Sequence, residues 1–291
     1  MKSNDTKFLL FVLILAITFS IVPVIKGQNK INAAEDAAKI DESEFRNTEI
    51  LSAQLDYYAQ QIAEKPTTVA YIIVYRNLKQ SNGAALRFGT RAKGYLTKQR
   101  GMDANRVKVI DGGVREKLSY EFWLAEANAM PPIPKPTIKA AKADETRAYL
   151  LDDFYYKLPG EPADGGCCSL DEPTNEEYEA SLDVYAQKLK ANPNSKAYII
   201  AYSPPYKSFY LEPFCSECLI ELNRYKILRM ILSVQTDYLT RKHDIEMSRI
   251  IILKGGDNKF HNIELWLVPD GEKPPKPNPP RILSKQKKGK K

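Results

Sequence analysis

Leu55–Tyr75 reads LDYYAQQIAEKPTTVAYIIVY and Leu182–Tyr202 reads LDVYAQKLKANPNSKAYIIAY, a gapless match at an offset of 127 residues. A second block, Tyr95–Pro136, matches Tyr238–Pro279 at an offset of 143. It carries YLT, a Gly-Gly pair, an E-x-W-L motif and a Pro-rich run in one register. The offsets differ by 16, so the second copy holds an insertion of that length between the two blocks. A repeat this long is a whole domain, and the fold is one unit used twice.

Around the matched blocks, each copy gives the same order of elements. In the first, Ile40–Arg46 is a short strand, and Asn47 or Thr48 offers an N-cap to a helix over Glu49–Glu64. Leu51, Leu55, Tyr58 and Ile62 recur at helical spacing on one face, and Pro66 stops the helix. Val69–Tyr75 is β-branched and aromatic, as a strand buried on both faces requires. A helix follows over about Ala85–Arg100, then strands at Arg106–Ile110 and Leu118–Leu124. The Gly112-Gly113 step between these strands predicts a hairpin.

In the second copy, Tyr149–Tyr156 is the first strand, and Thr174 with Glu177 forms a capping box into a helix over about Asn175–Ala191. Lys196–Tyr202 is the buried strand and a longer helix runs over about Leu219–Lys242. Arg249–Leu253, Gly255-Gly256 and Asn262–Val268 repeat the hairpin pattern. The fold class is therefore α/β, an α+β sandwich of two repeated β-α-β-α-β-β domains. Each has a mixed four-stranded sheet with two helices on one face. The divisions are 1–27, an N-terminal segment; 36–126, the first domain; 127–143, a Pro-rich linker; 144–269, the second domain with its insertion; and 270–291, a Pro/Lys-rich tail. Pro131, Pro132, Pro134 and Pro136 make the linker a stiff spacer.

The formal charge of +7 is unevenly placed: residues 1–27 carry +2, residues 272–291 carry +7, and the body between them carries −2. The basic pI belongs to the tail, Arg281–Lys291, and to no folded basic surface. With no aromatic–basic platform, nucleic acid is not an expected partner. Phe8–Ile25 is 18 residues without a charge, behind Lys2 and Lys7. It reads as a signal peptide that is cleaved or as a retained signal-anchor. Both place the body in an extracytoplasmic space, periplasmic or secreted. Membrane contact is expected only through this segment when it is uncleaved.

All four cysteines, Cys167, Cys168, Cys215 and Cys218, lie in the second copy, two of them in the insertion. Disulfides between the two pairs suit an exported chain. A four-thiolate zinc site and a redox-active C-x-x-C are the rival readings, against which stand the diverging side chains of vicinal cysteines and the missing thioredoxin-like context.

No catalytic constellation appears. His243 and His261 are the only histidines and neither has a ligand at metal spacing. There is no nucleophile elbow. The acid pairs Asp152-Asp153 and Glu176-Glu177 place their side chains on diverging directions. A non-catalytic chain with no cofactor and no metal is the expectation.

Arg91, Ala92, Tyr95 and Leu96 form an R-A-x-x-Y-L pattern, followed by Gly101, Met102, Asp103, Arg106 and Val107 as G-M-D-x-x-R-V. With the L-D-x-Y-A helix and A-Y-I-I strand before them, these residues resemble the OmpA-like C-terminal domain of the OmpA/MotB group. The resemblance implies binding of the diaminopimelate group of peptidoglycan by an Asp after the second strand and an Arg in the next helix. An acid would hold the ligand's ammonium and a guanidinium would fork onto its carboxylate. Arg91 fills the Arg position. The acid position falls on Arg76 or Asn77, and Val234 aligns with Arg91 in the second copy.

From Arg76 to Met102 there are seven basic residues, Arg87 among them, and no acid. One-signed charge beside a ligand-site position favours an anionic partner. Arg91, Arg76, Asn77 and Arg87 are thus the candidate ligand residues. Glu121 with Trp123, and Glu264 with Trp266, sit at equivalent strand positions and are candidates for an interaction surface. The expected role is binding or scaffolding in the cell envelope, with a cell-wall polymer or an envelope protein as partner. The alternative is a purely structural interaction module with no small ligand.

Overall fold

The computed structural model describes residues 37–139, 144–156, 170, 174–204, 209–210, 221–222, 224–258 and 261–277. The N-terminal segment, all four cysteines and the basic tail lie outside the described residues. Among those described, no helix is long and apolar enough to cross a membrane. Both copies fall within one compact unit, Ala34–Lys291.

The first copy runs β1 (Ala37–Glu44), α1 (Thr48–Glu64), β2 (Thr68–Arg76), α2 (Ala84–Gly94), β3 (Val107–Val114) and β4 (Ser119–Glu126). The second runs β5 (Tyr149–Tyr155), α3 (Asn175–Ala191), β6 (Ser195–Ser203), a ribbon of β7 (Phe209–Tyr210) and β8 (Glu221–Leu222), α4 (Arg224–Asp237), β9 (Ile250–Asp257) and β10 (Asn262–Pro269). Each copy is the α/β arrangement read from sequence, with a four-stranded mixed sheet in the order β1-β4-β2-β3 or β5-β10-β6-β9.

Local sequence sets these elements. Asn47 caps α1, its Oδ1 accepting from the Ile50 N–H at 2.8 Å. Leu51, Leu55, Tyr58, Ala59 and Ile62 form the buried stripe of α1. Glu177 Oε1 accepts from the Thr174 N–H at 3.0 Å in the capping box that begins α3. The core of the first copy gathers α1's stripe with Ala70, Ile72, Val74, Leu96, Tyr120, Phe122 and Leu124. The second repeats it with Leu182, Tyr185, Ala197, Ile199, Leu239, Ile263, Leu265 and Leu267. In each copy a helix tyrosine reaches through the core to bond the sheet. Tyr58 donates to the Trp123 carbonyl at 2.6 Å, and Tyr185 to that of Trp266 at 2.6 Å.

The predicted hairpins are not formed. β3 pairs parallel with β2, while β4 crosses to the other side of β2 and lies between it and β1. The Arg115 N–H donates to the Arg76 carbonyl at 3.0 Å as the chain turns over the end of β2. The glycines lie inside β3, where they permit close packing. A Cβ on Gly112 would stand 2.5 Å from Cδ1 of Tyr75, and Gly113 has φ +84°. Gly255 repeats the first contact, with 2.3 Å to Cδ1 of Tyr202.

Two predicted helices also end differently. α2 stops at Gly94 and passes into a π-helical turn, Tyr95–Gln99, and α4 likewise passes into Tyr238–Lys242. The wider turn carries Leu96 and Leu239 into the cores. It also aims the first tyrosine at an acid on the preceding helix. Tyr95 donates to Asp56 at 2.8 Å, with Arg100 Nη2 on Asp56 at 2.7 Å. In the second copy Tyr238 donates to Asp183 at 2.8 Å, and His243 stands in the place of Arg100 at 2.7 Å from that carboxylate.

The Pro-rich run does not span open space between the copies. It lies back over the first sheet, where the Lys135 N–H donates to Tyr75 Oη at 3.0 Å. The Thr137 and Ile138 N–H groups both reach the Val114 carbonyl at 3.1 Å. The Arg115 guanidinium is 3.4 Å from the Tyr75 ring centre and 3.3 Å from the Lys135 carbonyl. A chain without N–H donors at its prolines suits this position, because the sheet face offers few acceptors.

Candidate interaction site at the junction of the two copies

α2 presents Arg87 and Arg91 one turn apart, and both point into the second copy. Arg91 forks onto Glu177, with Nε and Nη2 each 2.8 Å from a carboxylate oxygen, and its Nη1 donates to the Leu170 carbonyl at 3.2 Å. Burial disfavours the charged guanidinium, but the hydrogen bonds and charge of Glu177 outweigh it and hold the Arg91 pKa above its ordinary value. Glu177 is the capping-box acid of α3, so one carboxylate serves the helix N-terminus and the junction together.

Arg87 does the same on β5. Its Nε and Nη2 lie 2.9 and 3.2 Å from the Asp152 carboxylate, and Nη2 also donates to the Asp153 carbonyl at 2.8 Å. Asp152 accepts from Ser181 Oγ at 2.6 Å and from Ser81 Oγ. It has no exposed surface. Buried charges need such partners, because an unpaired carboxylate there would be strongly disfavoured. The backbone closes the contact: the Gly83 N–H donates to the Leu151 carbonyl at 3.2 Å. A Cβ on Gly83 would stand 2.3 Å from Asp152 Oδ2, so only glycine allows the helix this close to the strand. Lys98 to Glu176 at 2.6 Å completes the junction at its exposed rim.

The sequence candidates divide accordingly. Arg87 and Arg91 meet at the junction. Arg76 and Asn77 do not: they organise their own loop. Arg76 donates to the Gln80 carbonyl at 3.1 Å and Asn82 Oδ1 at 2.6 Å, and Asn77 Oδ1 accepts from the Lys79 N–H at 2.9 Å. Beside Arg91 there remains a cavity of about 120 Å³, lined by Gly94, Tyr95, Lys98, Gln99, Leu170 and Thr174. Ligand pockets run to about 300–1,000 Å³.

The tryptophan strands form a second polar arrangement, on the sheet face away from the helices. Glu121 is 2% exposed and is held by Arg115 at 2.5 Å, Lys39 at 3.2 Å and the Trp123 indole N–H at 2.9 Å. Burial opposes its ionisation. The hydrogen bonds from Arg115, Trp123 and Lys39 prevail and hold its carboxyl below the ordinary value. Trp266 bonds Glu264 alike at 2.8 Å, and both of these residues are half-buried.

Asp152, Glu177, Ser81, Ser181 and Gly83 were not legible as site residues from the sequence. Their signal was indirect: an acid-free basic window in one copy and acid pairs at 152–153 and 176–177 in the other. Among the described residues there is no cluster of three metal-ligating side chains. The second copy differs from the first on the face equivalent to the junction. Val234 replaces Arg91 and is 49% exposed. On a different side of the helix, the one that packs on β3, Gly89, whose Cβ would stand 2.2 Å from Val109 Cγ1, is replaced by Leu232. A groove of about 610 Å³ lies on that side, between α4 and β9, lined by Leu232, Thr236, Met247 and Ile252 among others. No protein-family model matches this chain, and no curated protein matches it.

Proposed function

We propose that the chain is an exported, non-catalytic scaffold of the cell envelope, built from two degenerate OmpA-like domains that act as one rigid interaction module. The observation that carries this reading is the bidentate grip of Arg91 on Glu177. The arginine that the resemblance assigns to a cell-wall carboxylate is already occupied by a carboxylate of the same chain. Arg87 is occupied by Asp152 in the same way. Two buried guanidinium–carboxylate pairs fix one domain on the other, and the space left beside Arg91 is small. The fit supports the structural reading over the binding of an anionic cell-wall group by the first domain.

Sedimentation with purified peptidoglycan tests it. The chain is expected to stay in the supernatant, and Arg91→Ala is expected to change nothing. Saturable pull-down that Arg91→Ala abolishes would overturn the reading.

A further inference from the structure

The junction between the copies is heterologous: α2 of one unit meets the α3 and β5 face of the next. Such a contact uses two different surfaces of one repeated unit and leaves one of each unused at the ends. Among the described residues, the unused surfaces are α4 with its π-helical turn on the second copy, and the N-terminal end of α1 on the first. The repeat offsets state which residues would meet if the junction were continued. Arg91 corresponds to Val234 and Glu177 to Ile50; Lys98 corresponds to Arg241 and Glu176 to Glu49.

Both corresponding pairs are complementary. Where the inner junction sets Arg91 against Glu177, the outer surfaces offer Val234, 49% exposed, and Ile50, 39% exposed. Both partners of a charged pair have become apolar together, and both are large side chains left in water. Where the inner rim sets Lys98 against Glu176, the outer surfaces offer Arg241, whose side chain is 82% exposed, and the exposed Glu49. The third pair is not carried over: Arg87 corresponds to Met230 and Gly83 to Lys226, so the close approach of helix to strand is not repeated and the outer contact lies on α1. Asp41 stands at the position of Asp152 in the sheet register, opposite Phe122 as Asp152 is opposite Leu265. Gln54 at the Ser181 position reaches Asp41 at 3.2 Å, so this acid has a donor within its own copy and needs no arginine.

We infer that the occupant of these two surfaces is a second copy of this chain, joined head to tail so that α4 of one molecule seats on α1 of the next. The inference rests on the scaffold reading above and names the partner of that scaffold. The contact uses apolar burial at its centre and one ion pair at its rim, as specific interfaces do. Because the surfaces differ, association continues head to tail, into a ring where the rotation closes and into an open chain where it does not.

The test is sedimentation velocity on the full chain in detergent over a wide concentration range. The wild-type mass is expected to rise with concentration beyond a dimer. Val234→Arg and Ile50→Glu, both at exposed positions, are each expected to weaken association roughly tenfold or more. An equimolar mixture of these two variants is expected to recover it, because the new guanidinium meets the new carboxylate and the other ends remain native. Should either variant fold poorly by circular dichroism, Arg241→Glu mixed with Glu49→Arg makes the same test at the rim. A wild type that stays at one chain throughout would overturn the inference. So would association untouched by the single variants, or a mixture no more associated than its parts. Failure here leaves the scaffold reading standing with another partner; Arg91-dependent peptidoglycan pull-down would sink that reading itself.

Discussion

At the scale of single residues, Asp152 and Gln235 are buried polar groups with opposite circumstances. Asp152 accepts from Arg87, Ser81 and Ser181. Asp152→Ala strands the guanidinium beneath the junction and is expected to cost about 3–5 kcal/mol in chemical denaturation. A loss below about 1 kcal/mol would contradict the buried pair. Gln235 has no exposed surface, and among the described residues neither its amide nitrogen nor its amide oxygen has a partner. Its counterpart in the first copy is Ala92. An unsatisfied buried amide costs about 1–3 kcal/mol, so Gln235→Leu is expected to raise stability by about 1 kcal/mol in the same assay. Glu121 predicts a pH effect. Its carboxyl ionises at lower pH folded than unfolded, so its contribution is fully present above the ordinary value of 4.5 and is lost as pH falls through the depressed folded value. Glu121→Gln is expected to flatten the acid side of the stability–pH profile, and an unchanged slope would count against the network.

At the scale of elements, the strands and helices were largely legible because their signals are local. The stripe of α1, the apolar run of β2 and the capping box at Thr174 each follow from neighbours in sequence. Strand pairing was not legible. Gly112-Gly113 has the composition of a turn, yet both glycines belong to β3, because Tyr75 on the adjacent strand needs the space a side chain would fill. Gly112→Ala is therefore expected to cost about 1–3 kcal/mol through the clash with the Tyr75 ring. A thermal melt that leaves Tm unchanged would restore the turn reading. The π-helical turns escaped notice for a related reason. An apolar period of a helix does not reveal one extra residue in a turn, and the tyrosine–acid contacts it creates join residues about 40–55 positions apart.

At the scale of the whole molecule, the junction is expected to make the two copies unfold together. Two buried ion pairs, the close approach at Gly83 and the shared capping acid couple the second copy to the first. Calorimetry of the wild type is expected to show one unfolding transition for both copies. Arg87→Ala combined with Arg91→Ala is expected to split it into two. A single transition in that double variant would show that other contacts carry the coupling.

That one α/β unit occurs twice, where its main helices and strands lie, and which copy carries the basic window and which the acid pairs can all be read along the chain. These properties reside in residues close together along the chain or in the repeat offset. The tertiary structure alone decided what the basic window faces. Arg91 and Glu177 are 86 positions apart, and Arg87 and Asp152 are 65 apart. No local pattern distinguishes a guanidinium open to a ligand from one closed on the next domain. Only the docking of α2 on α3 and β5, which needs glycine at position 83, makes that choice.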